Sequence, residues 1–146
     1  MKLRWAALSV VLALSALMPH AASAQPGRGR PKVTLGQNYP NPFNPEAWIP
    51  FGVDPECTEP TRQYRVTIRI FNLLAQEVAV PVIQGGSGTA AGGDLIENIT
   101  LGCGKYTAYW NGKYRSSGRE AASGVYVYRL EVDGRPELTK KMLVTK

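Results

Sequence analysis

The chain has 146 residues, a formal net charge of +6, 15 glycines, 11 prolines, two cysteines and one histidine. That length provides for one domain of ordinary size and leaves no room for a second. The basic residues are spread over the whole chain rather than massed beside a reading module, which argues against nucleic-acid binding. Solvated surface charge accounts for them, with weak attraction to anionic polysaccharide or lipid headgroups as the alternative.

Residues 1–24 begin with Lys2 and Arg4, continue through the apolar run Trp5 to Met18 and close on Ala22-Ser23-Ala24. This is the form of a secretory signal peptide with a small-residue cleavage site, so the mature chain is expected to start at Gln25. A membrane anchor needs about twenty apolar residues, and this run is shorter and interrupted by Pro19 and His20. No second hydrophobic segment follows. The expectation is a protein secreted or held at the cell surface, reached through the periplasm, with no transmembrane segment after cleavage.

Residues 25–46 read as an N-terminal arm. The stretch Asn38-Tyr39-Pro40-Asn41-Pro42-Phe43-Asn44-Pro45 packs prolines too densely for helix or for the centre of a sheet, because each removes an amide donor and fixes φ. Its asparagines suit turns, and Tyr39 and Phe43 offer rings that pin the arm onto a β-face. The plainer alternative is a proline-rich linker with incidental aromatics.

Residues 47–146 read as the folded domain. Ala47 to Val53, with Pro50 in its middle, is expected as an edge strand. Tyr64 to Phe71 alternates most clearly, with Tyr64, Val66, Ile68 and Ile70 inward and Arg65, Thr67 and Arg69 outward. Asn72-Leu73-Leu74-Ala75 turns the chain into a strand over Gln76 to Ile83, which Pro81 assigns to an edge. Gln84 to Gly93 is a glycine-rich loop; it lacks the Gly-Lys-Ser/Thr ending of a phosphate-binding loop. Leu95 to Leu101 and Gly104 to Trp110 are short strands, the second ending in Trp110-Asn111-Gly112. Lys113 to Ser123 is a polar loop, and Gly124 opens a strand with Tyr126, Tyr128, Leu130 and Val132 inward. Asp133-Gly134 turns into a last strand over Glu137 to Thr145, with Met142 and Val144 on the face opposite Leu143. About seven strands, no helix and regular turn signals predict an all-β, immunoglobulin-like antiparallel β-sandwich.

Two cysteines in an exported chain predict a structural disulfide between Cys57 and Cys103, worth about 4 kcal/mol in the chain-entropy model. Their spacing is too wide for a redox Cys-x-x-Cys pair. With His20 in the leader, the mature chain has no histidine, which removes the usual Ser-His and Cys-His nucleophiles and histidine-bound zinc. The carboxylates are scattered, so no catalytic residue, cofactor or metal is assigned. A calcium site from Asp54, Glu56 and Glu59 competes with a plain disulfide-tied loop around Pro55 and Pro60. Trp48, Tyr114 and Tyr39 are candidates for stacking on sugars, against the simpler role of packing rings in core or arm.

Six segments in order carry a family likeness: Leu35 to Glu46, Ile49-Pro50-Phe51, Val66 to Val78, Trp110-Asn111-Gly112, Ala122 to Leu130 and Lys140 to Val144. Together they resemble the C-terminal sorting domain of type IX secretion cargo, which is similar in turn to the immunoglobulin-like domain of flagellar hook-capping proteins. The resemblance implies a non-enzymatic domain that directs cargo through the outer membrane, where the machinery cleaves it or fixes the cargo to the surface. Its partners would be outer-membrane secretion machinery or other envelope proteins. Lys140, Lys141, Met142, Leu143 and Val144, in the last strand, would be the segment read by the translocation partner. Only Gln25 to Thr34 separate the leader from the likeness, so a solitary copy without cargo is expected, and the cysteine pair and glycine loop lie outside the family pattern. The alternative is a stand-alone extracellular structural subunit or adhesin that self-associates through its arm and strand edges.

Overall fold

A computed structural model describes residues 29–85 and 92–146. The segment expected to be a signal peptide, the first four residues of the expected arm and the centre of the glycine-rich loop lie outside these residues. Two antiparallel sheets pack face to face, and no helix occurs among the described residues. One sheet has four strands in the order β1-β2-β7-β5: β1 (Val33–Leu35), β2 (Ala47–Val53), β7 (Gly104–Trp110) and β5 (Val82–Ile83). The other has β3 (Gln63–Phe71) between β8 (Gly124–Val132) and the two short strands β4 (Glu77–Ala79) and β6 (Ile99–Gly102), with β9 (Arg135–Val144) beyond β8.

The alternation that defines β3 and β8 translates directly into the core. Val66, Ile68 and Ile70 on β3 and Tyr128, Leu130 and Val132 on β8 are buried, each side chain contributing roughly 1.5–3 kcal/mol by leaving water. Ile49, Phe51, Val53, Ala108 and Trp110 face them from the other sheet. Asp133 and Gly134 both take positive φ, 50° and 75°, the geometry a two-residue hairpin needs to match strand twist.

Five features depart from the sequence expectations. Among the described residues there are nine strands against the expected seven or so, in part because Val33–Leu35, within the stretch read as an arm, pairs with β2 from Val33↔Val53 to Leu35↔Phe51. That pairing makes β2 an interior strand and not an edge. Pro50 is tolerated there because its carbonyl, and therefore its missing N–H, points toward the arm, where Gly36 donates to the Pro50 carbonyl at 2.7 Å just beyond the end of β1. The single strand expected over Gln76 to Ile83 divides at Val80-Pro81: β4 joins one sheet and β5 the other, so the proline marks a crossing between layers. The strand expected over Leu95 to Leu101 is confined to Ile99–Gly102, because Asn98 takes a φ of 55°. Its amide donates to the Thr67 hydroxyl at 2.8 Å, which buries Thr67 on the face expected to be exposed.

Cys57 and Cys103 are bonded, with Cα atoms 5.9 Å apart. The bond ties the turn after β2 to the junction of β6 and β7. No buried side-chain polar atom among the described residues lacks a hydrogen-bond partner. A two-layer fold of this size carries no spare polar group in its interior.

Candidate functional site

The arm and the last strand form one unit. Phe43 is 1% exposed and lies edge-on to Trp110, with ring centroids 5.3 Å apart. Its amide donates to the Leu143 carbonyl at 2.9 Å and its carbonyl accepts from Thr145 at 3.1 Å, so the arm runs parallel to the end of β9. Asn41 Oδ1 accepts from the Leu143 amide at 3.0 Å, and Gln37 Nε2 donates to the Lys141 carbonyl at 2.8 Å. Proline gives the arm no regular run of donors, so asparagine and glutamine side chains complete the edge. Tyr39, Asn41 and Asn44 each precede a proline through a cis bond.

Beneath the arm, Tyr128 reaches out of the core. Its hydroxyl donates to the Gly36 carbonyl at 2.7 Å and accepts from the Asn38 amide at 3.0 Å. Burial raises its pKa, with the Asn38 bond opposing. Asn38, 2% exposed, closes the arm on itself by donating to the Pro40 carbonyl.

The five residues expected to contact a partner do not share one surface. Met142 and Val144 are buried opposite Tyr126 and Gly124, and serve as core. Lys141 and Leu143 point outward opposite Val127 and Val125, with Leu143 38% exposed. Lys140 pairs with Tyr128 on the inward-facing side and is half-buried at the sheet edge. An inward-pointing charge of this kind hinders edge-to-edge pairing. Alternation marks Tyr128 as inward but not as the arm's anchor, and nothing periodic marks Gln37 or Asn41, because the pairing of arm and last strand that recruits them is long-range.

The calcium candidates are engaged otherwise. Asp54 accepts from the Tyr64 hydroxyl at 2.7 Å and pairs with Arg62, Glu56 pairs with Lys32 at 3.0 Å, and Glu59 lies 3.9 Å from Arg62. Burial, then the Asp54 bond, push the Tyr64 pKa up to about 12. Asp54 also approaches Cys57 and Cys103, but sulfurs committed to each other are not metal ligands.

The aromatic candidates separate. Tyr114 is tied into the loop after β7, its hydroxyl 2.9 Å from that of Tyr126 and accepting from the Ala122 amide. Tyr39 and Trp48 lie on the outer face of the four-stranded sheet, stacked at 6.0 Å, and Tyr109 adjoins Trp48 at 5.6 Å. Glu46 accepts the Tyr109 hydroxyl at 2.8 Å, a bond that raises the phenol's pKa.

No protein-family model, curated protein or solved structure matches the chain.

Proposed function

We propose that the chain is an exported, non-enzymatic module of the type IX sorting-domain kind, whose last strand is read by outer-membrane secretion machinery through its outward side chains. The observation that carries this reading is the outer face of β9. Lys141 and Leu143 stand exposed beside Val125, on a strand whose backbone edge the arm already occupies. A partner adding its own strand there would have to expel Phe43 from the core, whereas one reading side chains meets a surface that is already set. The leader-like Met1 to Ala24 and the Cys57–Cys103 bond agree with an oxidising compartment outside the cytoplasm. No helix among the described residues is long and apolar enough to cross a membrane. The engagement of Asp54, Glu56 and Glu59 with cations and a phenol favours a module without hydrolytic chemistry.

The test uses the double variant Lys141→Glu/Leu143→Asp expressed in the source organism. Both positions face solvent, so the variant keeps the wild-type unfolding midpoint while accumulating in the periplasm. Export equal to wild type removes the sorting role. Truncation at Lys140 is the poorer experiment, because it also deletes buried Met142 and Val144.

A further inference from the structure

The outer face of the four-stranded sheet is not uniformly polar. Strand register sets Tyr39, Trp48, Tyr109, Val82 and Leu95 side by side, one from each successive segment of backbone. With strands about 5 Å apart, they form a ribbon of apolar side chains across the whole sheet. Tyr39 is 52% exposed and Leu95 42% exposed. The core does not require these rings, since Ala47, Ile49, Ala108 and Trp110 fill the inward positions of the same strands.

Beside the ribbon lies an open trough of about 670 Å³, lined by Thr34, Gly36, Pro50, Gln84, Lys105 and Thr107 among others. Its depth has a sequence cause. On β2 the outward positions after Trp48 are Pro50 and Gly52, and a Cβ on Gly52 would come within 2.6 Å of the Thr34 hydroxyl oxygen. A Cβ on Gly36 would strike the Pro50 ring. Two glycines therefore hold the floor low, while Thr34, Lys105 and Thr107 bring two hydroxyls and an amine to it. Among the described residues, Lys105 has no ion pair and neither threonine hydroxyl has a hydrogen-bond partner.

We infer that this face binds a polysaccharide chain, with pyranose C–H faces against Tyr39, Trp48 and Tyr109 and sugar hydroxyls bonded to Thr34, Lys105 and Thr107. Sugars present both a flat apolar face and a dense set of hydroxyls, and the surface offers the complement of each. The rings are held in advance: Trp48 sits between Tyr39 and Tyr109, and Glu46 anchors the Tyr109 hydroxyl. Pre-set side chains lose less freedom on binding. A peptide strand finds no purchase, because the backbones of β2 and β7 are paired to each other along their full length. A second copy of the chain would need a broad dehydrated apolar patch, and directly beside the narrow ribbon this face carries an amine and two hydroxyls. The inference is independent of the sorting reading, since Lys141 and Leu143 lie on the other sheet.

The test is affinity electrophoresis of the mature protein in native gels containing hydroxyethylcellulose, a neutral chain, or alginate, an acidic one. Wild type is retarded in at least one gel, Tyr39→Ala and Lys105→Ala each weaken the apparent affinity about tenfold, and Leu73→Ala in the turn between β3 and β4 leaves it unchanged. Unfolding midpoints of all three variants match wild type, which separates lost binding from lost folding. Absence of retardation in both gels overturns the inference. So does retardation that added salt abolishes while Tyr39→Ala leaves it intact, which is the behaviour of any basic protein on a polyanion.

Discussion

The amide of Phe43 donates to the carbonyl of Leu143 at 2.9 Å, joining a segment that precedes the first long strand to the strand that ends the sandwich. The bond explains why the arm is structure and not tether: it places the Phe43 ring against Trp110 and covers the backbone edge of β9 in one step.

Phe43→Ala removes a side chain that is 1% exposed. Loss of the buried ring costs about 3–5 kcal/mol, and the uncovered β9 edge then promotes association. Urea denaturation gives the first quantity and sizing chromatography the second. A variant within 1 kcal/mol of wild type would show the arm to be dispensable.

Replacing both cysteines, Cys57→Ser with Cys103→Ser, frees a loop of 46 positions. The loss is about 4 kcal/mol, less whatever the unfolded chain retains in structure. Reducing agent lowers the denaturation midpoint of wild type and leaves that of the double variant where it was.

Alkali acts through tyrosines. Tyr64 and Tyr126 have pKa values raised from 10.0 to about 12, chiefly by burial, with Asp54 and Tyr114 adding to it. A raised folded pKa means that the neutral form is favoured in the fold, so this stability is whole below pH 10 and is lost as pH rises toward 12. For Tyr64 the loss is on the order of 2 kcal/mol by the upper end of that window. Tyr64→Phe flattens the stability profile there, read by denaturation at a series of pH values.

Two glycines in the same loop separate strain from crowding. Gly112 and Gly118 both take left-handed φ, 70° and 66°, but a Cβ on Gly112 would collide with the Pro45 carbonyl while one on Gly118 meets nothing. Gly118→Ala therefore costs about 1 kcal/mol, the backbone penalty alone. Gly112→Ala costs several-fold more and loosens the arm, which lowered protection of the Phe43 and Thr145 amides in hydrogen exchange reports.

Where periodicity ran unbroken, the chain was readable. Tyr64, Val66, Ile68 and Ile70, and Tyr126, Tyr128, Leu130 and Val132, are buried as alternation requires, and Asp133-Gly134 carries its own turn chemistry. Proline was the poorer guide. Pro50 and Pro81 each announce an unmade ladder bond, but only the tertiary fold decides whether that gap faces solvent, an arm or a change of sheet. Thr67 escapes the alternation for a related reason, because the Asn98 backbone that covers it comes from a loop without a pattern. At the last strand, alternation sets Met142 and Val144 opposite Leu143, but the expectation that Lys140 to Val144 act as one segment overlooks that Met142 and Val144 are core. The trough beside Trp48 was hidden, since its concavity depends on Gly36 meeting Pro50 from another part of the chain.

The proposed role requires this sandwich to work outside the cytoplasm as a processed, disulfide-bonded module. Intact-mass measurement on protein from fractionated native cells and their medium tests it most directly. Export and processing yield a species at the surface or in the medium that begins at Gln25 and has no free thiol. A cytoplasmic species beginning at Met1 with both cysteines reduced would contradict it.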